Sequence, residues 1–260
     1  GNGLSSSPHN TPDPYGMAEF PKVRIGDDVR AQHKFLAEKF GIKQIALVTG
    51  GSMGAQQTWE WAVRYPDMVK RAAPMAGTAK TTDYLFLLLE AYNAAMTSDP
   101  NWKNGNYKSA SDVVDGLKRL AQLWALTGWS TDFFKQEVWR ELGFSSVEEF
   151  MTGFMASYFT VMDPNALLSM GWKAQRADVS RMFGGDLKKA LGSIKAKVFV
   201  MPIDEDMLFK VKDCEYEQRM VPNSELRVIK NCGHLGLFDV QPDYMPQIDK
   251  NLRELLSIRV

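Results

Sequence analysis

The segment 50–54, Gly-Gly-Ser-Met-Gly, places a serine where a nucleophile could be presented. It follows an apolar run at 45–49 that predicts a buried strand, and it precedes a helix-like stretch from Ala55. Glycines on both sides of Ser52 permit a sharp turn from strand to helix without Cβ clashes. The backbone N–H of Met53 would then lie at a helix start, where it can donate to an oxyanion. We therefore predict that Ser52 is a nucleophile on an elbow rather than part of a structural turn.

A serine hydroxyl needs a base to take its proton, and that base needs an acceptor that orients it. The sequence has three histidines, of which only His234 follows a predicted strand; the others lie in a turn-rich segment and in a predicted helix. The acid should come after the preceding strand, where Asp204, Glu205 and Asp206 are all candidates. Serine, acid and histidine, in that order after three predicted strands, is the order of the α/β-hydrolase fold.

The elements that must position these residues alternate along most of the chain. Strands are predicted at 45–49, 70–77, 196–201 and 224–230, with helical patterns between them, which favours an α/β fold with a mostly parallel sheet.

From 81 to 191 the strand signals are absent, and helical patterns rich in aromatic residues and methionine replace them; five of the seven tryptophans fall there. We expect an α/β-hydrolase core from 1–80 and 192–260 and a helical lid insertion over 81–191. Most aromatic side chains of the insertion should form its core, and a few should line an acyl pocket.

Composition excludes several classes of function. Lys plus Arg and Asp plus Glu are both 31, so no net field attracts nucleic acid or anionic lipid. The longest strictly apolar stretch, 84–89, is far too short to span a membrane, and no basic segment followed by an apolar one is visible near the start. Cys214 and Cys232 have no metal-like spacing and should be free thiols. We expect a cytoplasmic protein without a metal site.

Seven segments carry a resemblance to a known family, the homoserine O-acetyltransferases. They are 2–8, 20–32, 50–53, 61–68, 97–102, 105–107 and 206–209. The resemblance extends over nearly the whole chain and implies an α/β-hydrolase core with a helical lid and acyl transfer through a seryl ester. It also selects Asp206 as the acid, since that family's acid directly precedes x-Leu-Phe.

Three positions depart from that family. Its Gly-His is followed by an aspartate that helps to hold the homoserine amino group, and this chain has Leu235 there. The arginine expected to bind the homoserine carboxylate falls on Ala121, and a second arginine typical of the family falls on Asn93. An ammonium and a carboxylate need charged partners in a desolvated pocket, so we expect no useful affinity for homoserine.

Without an amino-acid acceptor site, water is the simplest acceptor of the acyl group. We expect a serine esterase of short-chain or acetyl esters of neutral substrates, with Gly51, Leu235, Ala121 and Asn93 at the substrate pocket. One alternative is an O-acyltransferase that uses acetyl-CoA and an acceptor other than homoserine. Another is a non-catalytic binding protein on a hydrolase fold. The esterase itself would need no cofactor.

The resemblance also implies a partner for this chain. A hydrolase of this kind has several strands before the elbow strand, including the loop that donates the other oxyanion N–H. We therefore expect an N-terminal segment or second polypeptide that completes the sheet. The family further implies a homodimer through the helical lid.

Overall fold

The computed structural model describes residues 3–238 and 244–260. Asn2, where the family-like segment 2–8 begins, lies outside the described residues. Contacts along the chain divide it into two compact units. An α/β unit comprises Arg24–Thr81 and Arg176–Val260, and a helical unit comprises Gly1–Val23 and Thr82–Gln175.

These boundaries differ from the sequence-based division at two segments. Residues 1–23 group with the helices, because their first short 3-10 helix, Pro8–Asn10, packs on the helix Pro164–Gln175. Residues 176–191 group with the sheet, because Ala190 and Leu191 are buried in its core. A turn-rich segment without periodicity does not indicate which element it packs against.

Within the described residues, four strands form the sheet of the α/β unit. They are β1 (Val48–Gly51), β2 (Arg71–Met75), β3 (Lys197–Val200) and β4 (Ser224–Leu226), adjacent in that order and all parallel. The carboxyl ends of parallel strands meet at one edge of a sheet, so Ser52 and the segments after β3 and β4 come to the same edge. The prediction of a parallel α/β fold is confirmed.

Helices flank and follow these strands. In chain order they are α1 (Ile25–Lys34), α2 (Met53–Arg64), α3 (Asp83–Thr97), α4 (Val114–Gly128), α5 (Thr131–Lys135), α6 (Val147–Phe150), α7 (Ser157–Thr160), α8 (Pro164–Gln175), α9 (Leu187–Gly192), α10 (Val211–Gln218) and α11 (Tyr244–Ser257). Helices α3 to α8 belong to the helical unit, and the others belong to the α/β unit.

The two faces of the sheet bury different cores. Successive residues of a strand point to opposite faces, and β3 shows this directly. Val198 packs in a cluster with Val29 of α1 and Trp59 of α2, whereas Phe199 packs in a cluster with Ile248 of α11. The sheet is therefore covered by helices on both faces, as the near-continuous apolar sequence of β3 requires.

Aromatic side chains form much of the core of the helical unit. Trp129 stacks on Phe133 with 4.2 Å between ring centroids, and Phe150 packs edge-on against Trp129. All three side chains are buried, so they pack this unit as expected. Among the described residues, no helix combines the length and apolarity that a bilayer crossing requires.

Candidate active site

Ser52 occupies a strained turn between β1 and α2. Its φ of 57° and ψ of −120° lie in a region that side-chain-bearing residues seldom adopt. Its N–H donates to the carbonyl of Met75 on β2 at 2.9 Å, and its carbonyl accepts from Ala55 and Gln56 in the first turn of α2. The neighbouring strand and the following helix therefore hold the turn from both sides.

The glycines around Ser52 contribute unequally to this turn. A Cβ at Gly50 would lie 2.7 Å from the backbone carbonyl group of Gly54, so a side chain at Gly50 would displace the start of α2. A Cβ at Gly77 would lie 2.8 Å from the Ser52 carbonyl oxygen, so the loop after β2 makes a second close approach to this turn. Gly54 itself has no atom within 4 Å of the position of a Cβ. The sequence pattern did not indicate Gly77, and it overstated the steric role of Gly54.

His234 links Ser52 to Asp206. Its Nε2 lies 2.9 Å from Ser52 Oγ, and its Nδ1 lies 2.7 Å from Asp206 Oδ2. The imidazole and the carboxylate are both buried, with 3% and 0% of their side-chain surfaces exposed. The structure therefore brings together Ser52, His234 and, of the three acid candidates, Asp206, which the family resemblance selects.

The loop after β3 fixes the carboxylate of Asp206. The backbone N–H groups of Leu208 and Phe209 donate to Asp206 Oδ1 at 2.7 and 3.0 Å. Oδ2 is thereby directed at His234, whose ring also lies against the Phe209 ring with 5.7 Å between centroids. These contacts hold the imidazole in one orientation.

Asp204, another of the three acid candidates, bonds to the backbone of the loop after β4. Its Oδ2 accepts from the backbone N–H of Asn231 at 3.1 Å, and Asn231 has a positive φ of 64° in the loop that leads to His234. The backbone N–H of Asp204 also donates to the carbonyl of Ile229 at 2.9 Å. Asp204 therefore ties the loop after β4 to the loop after β3, a positioning role that the sequence reasoning missed.

Met53 is the first residue of α2, so its backbone N–H has no acceptor within the helix. Because it directly follows Ser52, this N–H lies next to the hydroxyl at the positive end of the helix dipole. This position is the one expected of a donor to an oxyanion formed on a substrate bound at Ser52 Oγ, and that role of Met53 stays a prediction.

The four predicted pocket residues are divided between the two units. Gly51 ends β1 next to Ser52, and a Cβ there would lie 2.8 Å from the Leu237 side chain. Leu235 is buried in the 3-10 helix His234–Phe238. Ala121 is buried on α4, and Asn93 lies on α3, both in the helical unit. Their part in substrate binding stays a prediction.

Both cysteines are buried free thiols, as predicted. Burial, together with the nearby carboxylates of Asp204, Asp206 and Glu205, raises the pKa of Cys232 to about 12. A thiol in that state is a weak nucleophile at neutral pH, so Cys232 does not compete with Ser52 although it lies two residues from His234. Within residues 3–238 and 244–260, no three His, Cys, Asp or Glu side chains form a group that could hold a metal ion.

The sheet, the elbow and the order of the three polar residues define an α/β-hydrolase fold. Residues 1–240 match the family model described as alpha/beta hydrolase fold, and the chain belongs to this family.

Comparison with individual proteins gives three informative similarities. An ethyl acetate hydrolase of Pseudomonas veronii is 56% identical over 258 residues, which are 99% of this chain and 74% of that protein. The crystal structure of an acetylester hydrolase from Corynebacterium glutamicum superposes with a TM-score of 0.98 at 55% identity, covering 99% of this chain and 74% of that one. A homoserine O-acetyltransferase of Trichormus variabilis is 30% identical over 261 residues, covering 99% of this chain and 72% of that protein. This chain is thus most similar to esterases among the three, with a more distant similarity to the acetyltransferase.

Proposed function

We propose that this enzyme hydrolyses short-chain esters of neutral alcohols, acetyl esters above all, through a covalent acyl-serine. The observation that carries the proposal is the hydrogen-bonded line from Ser52 Oγ through His234 to Asp206. The names of its relatives at 55–56% identity, ethyl acetate hydrolase and acetylester hydrolase, support the choice of an acetyl ester.

In the first half-reaction, Ser52 Oγ attacks the ester carbonyl carbon while His234 Nε2 takes the hydroxyl proton. The carbonyl oxygen becomes an oxyanion, and the Met53 N–H donates to it. His234 then returns the proton to the alkoxide oxygen of the leaving group. The C–O bond breaks, the alcohol leaves, and the acyl group remains on Ser52.

In the second half-reaction the same steps occur with water as the nucleophile. His234 Nε2 takes a proton from water, the hydroxide attacks the acyl carbon, and the second tetrahedral intermediate expels Ser52 Oγ, which takes the proton back. The net reaction is ester plus water to carboxylic acid plus alcohol. Throughout, Asp206 keeps the Nδ1 proton of His234 in place and stabilises the imidazolium that forms twice per turnover.

We propose that the pocket accepts neutral acyl and alcohol groups because the charged groups expected for homoserine are replaced. Leu235 is apolar where an aspartate would help to hold an ammonium, and Ala121 carries no charge where an arginine would bind a carboxylate. Asn93 likewise carries no charge where the family typically has a second arginine. Each missing charge-assisted hydrogen bond would cost a charged acceptor about 1.5–3 kcal/mol of binding free energy. Homoserine would therefore bind far more weakly than a neutral alcohol.

Turnover of p-nitrophenyl acetate tests the proposal directly. The wild-type protein should release nitrophenol steadily in water, and Ser52→Ala should lower kcat by about four orders of magnitude or more. Ser257→Ala is the matched control, because this exposed hydroxyl at the end of α11 bonds only to the carbonyl of Glu254 among described residues and should leave kcat unchanged. Equal turnover by Ser52→Ala and the wild type would refute the assignment of Ser52 as the nucleophile.

The second candidate is an O-acyltransferase, favoured by the 30% identity to a homoserine O-acetyltransferase. In that case acetyl-CoA would donate the acyl group, and an alcohol would replace water in the second half-reaction. Acetyl-enzyme formed from p-nitrophenyl acetate should then persist until the right alcohol is added. Steady release that is indifferent to a panel of alcohols, homoserine included, supports the hydrolase. Acceleration by homoserine would refute the argument from Leu235, Ala121 and Asn93.

We further propose that the esterase uses no cofactor, that it acts in the cytoplasm, and that it forms a homodimer through the lid segment 81–191. An upstream segment or a second polypeptide would add strands beside β1, the outermost strand on that side of the described sheet. Light scattering at micromolar concentration tests the dimer, and a monomeric mass would contradict it.

A further inference from the structure

A pocket of about 210 Å³ lies within the helical unit. Its walls come from the segment 8–22, the short 3-10 helix Pro100–Gly105 and helix α8. None of the lining residues belongs to the hydrogen-bonded line from Ser52 to Asp206. The volume is below the ~300–1,000 Å³ of pockets for drug-sized molecules, so it suits a ligand with about one ring.

Three aromatic side chains line this tryptophan pocket. Trp102 comes from the 3-10 helix, Trp172 comes from α8, and Phe20 comes from the segment 8–22. Leu168 on α8 adds an aliphatic surface beside them. A mostly apolar lining of this kind is typical of small-molecule sites, and aromatic rings favour a planar partner that can stack or pack edge-on.

Buried hydrogen bonds fix the wall that carries Trp102. Trp102 Nε1 donates to Asn165 Oδ1 at 3.1 Å, and Asn165 Nδ2 donates to the Gly105 carbonyl at 2.8 Å. The backbone N–H of Asn165, a residue that is 6% exposed, donates to the Tyr107 hydroxyl. A Cβ at Gly105 would lie 3.2 Å from the Ala18 side chain, so the segment 8–22 packs closely on this wall. Because the wall is held in place, binding would require little further ordering.

One ionised side chain, that of Lys22, lies among the described residues that line the pocket. Its Nζ is over the Trp172 ring, 5.9 Å from the centroid, which is near the ~6 Å limit of a cation–π contact. Within residues 3–238 and 244–260, Lys22 pairs with no carboxylate. The pocket therefore has one positive charge that no acid in its lining balances.

Two neutral polar side chains of the lining can add hydrogen bonds to an anion. Asn104 has left-handed backbone angles, φ 53° and ψ 36°, and it follows Lys103, which has φ 49°. Such angles are uncommon outside glycine and are concentrated at functional sites. Across the described parts of the chain, the Asn104 amide and the hydroxyl of half-buried Ser169 have no hydrogen-bond partner.

We propose that the tryptophan pocket binds a small monocarboxylate that carries one aromatic ring. One carboxylate oxygen pairs with Lys22, and the other accepts from Asn104 or Ser169. The ring lies against the indoles of Trp102 and Trp172. A phosphate monoester would bring about −1.5 to −2 of charge to a single lysine, and an organic cation would be repelled by it.

Isothermal titration calorimetry with phenylacetate at low ionic strength tests this proposal. Phenylacetate should bind with a Kd on the order of 1 mM, and binding should weaken as salt is added. Phenylacetamide has the same shape without the charge and should bind about three- to tenfold more weakly. Acetate lacks the ring and should bind at least about tenfold more weakly.

Two variants test the charge and the space separately. Lys22→Met removes the ammonium of an exposed residue and keeps an apolar stem, so it should weaken phenylacetate binding about three- to tenfold. Ser169→Leu keeps the charge but fills the pocket from α8, and it should weaken binding at least about tenfold. Lys118→Met is the matched control, because it removes an exposed lysine of α4 that is outside the lining, and it should bind phenylacetate as the wild type does.

A carboxylate could also bind beside Ser52, and Lys22→Met separates the two sites because it would leave binding beside Ser52 unchanged. Equal binding of phenylacetate by Lys22→Met and the wild type would therefore overturn the proposal. The same conclusion would follow from no binding up to about 10 mM, from equal affinity for phenylacetamide, or from equal losses in Lys22→Met and Lys118→Met.

Discussion

At the proposed catalytic residues, the hydrogen bonds of Asp206 decide which nitrogen of His234 carries the proton. Asp206 Oδ1 is occupied by the N–H groups of Leu208 and Phe209, so Oδ2 is the oxygen that accepts from Nδ1. Nε2 is then left without a proton and can accept the hydroxyl proton of Ser52.

Asp206→Asn should therefore abolish most of the activity while preserving the fold. The amide oxygen would stay with the two backbone N–H groups, and the amide NH₂ would face His234 Nδ1. The imidazole would then carry its proton on Nε2 and could not act as a base, and we expect kcat to fall by about 10³–10⁴-fold.

Asp204→Asn is the control for this substitution. Its amide oxygen can still accept from the Asn231 N–H, so kcat should stay within about tenfold of the wild type. If both variants lost activity equally, the assignment of Asp206 as the acid would fail.

The two thiols give a second prediction at the residue scale. Burial is the first cause of the raised pKa of Cys214 and of Cys232, which carries a value of about 12. In the native protein at pH 8, neither thiol should react with iodoacetamide within an hour, whereas both should react in denaturant. Rapid labelling of the folded protein would contradict the burial of both side chains.

At the scale of elements, the elbow depends on the close approach of β1 to α2. Gly50→Ala would place a Cβ 2.7 Å from the backbone carbonyl group of Gly54, whereas Gly54→Ala would meet no atom within 4 Å. We expect Gly50→Ala to destabilise the protein by about 2–4 kcal/mol and to lower kcat, because Ser52 would move.

Gly54→Ala is the matched variant of this pair. It should leave the free energy of unfolding unchanged or raise it by up to about 1 kcal/mol, since alanine favours a helix over glycine. Urea denaturation measures the free energy of unfolding of both variants. Equal destabilisation of the two would show that the close spacing of β1 and α2 does not explain the loss of stability in Gly50→Ala.

Helix α10 holds the loop after β2 through a buried carboxylate. Glu217 accepts from the N–H groups of Ala79 and Lys80 at 2.7 and 3.0 Å, yet burial raises its pKa from 4.5 to about 8. Between about pH 4.5 and 8, the folded state therefore binds more protons at Glu217 than the unfolded state does, and its stability falls as pH rises.

Glu217→Gln should flatten this pH dependence. The contribution of Glu217 to wild-type stability is complete below pH 4.5 and is lost by about pH 8, a difference on the order of 5 kcal/mol. Glu215→Gln on the same helix is the control, because Glu215 is paired at the surface with Arg219. Denaturant midpoints from pH 5 to 8.5 measure the effect, and an unaltered slope in Glu217→Gln would refute it.

At this scale, the sequence could predict the elements that carry their own pattern of apolar residues. Apolar runs locate the first three described strands, because buried parallel strands need continuous apolar sequence. The fourth was predicted over 224–230, where polar and apolar residues mix, and it forms only over Ser224–Leu226. The first strand was predicted at 45–49 but forms over Val48–Gly51, since Gly50 and Gly51 pair with β2 although they lack the side chains that mark a strand. Ile45 is left in an isolated bridge to Val69.

At the scale of the whole molecule, residues far apart in sequence meet because parallel strands end at one edge. Ser52 and His234 are 182 positions apart and in hydrogen-bond contact, and the strand order alone was enough to predict this. A pocket of about 340 Å³ that is lined by the start of α1, the far end of α2 and the segment 176–182 could not be predicted in that way. Its Arg24, Arg64 and Arg181 share no spacing or motif and converge only through the packing of α1, α2 and the segment 176–182.

The rest of the fold holds Ser52 in a strained backbone conformation. A pair of substitutions can measure the free-energy cost of that strain. A non-glycine residue with φ of 57° and ψ of −120° costs about 1–3 kcal/mol, which glycine avoids. Ser52→Gly and Ser52→Ala both remove the hydroxyl and should both be inactive, but only the glycine relieves the backbone.

After the greater chain entropy of glycine is subtracted, Ser52→Gly should be more stable than Ser52→Ala by about 1 kcal/mol. For a chain of this size, that difference raises Tm by about 2–4 °C. Thermal unfolding of the two inactive variants under identical conditions gives the two Tm values to compare. A lower Tm for Ser52→Gly would mean that the elbow is held without strain, and that the first turn of α2 rather than the rest of the fold determines the position of Ser52.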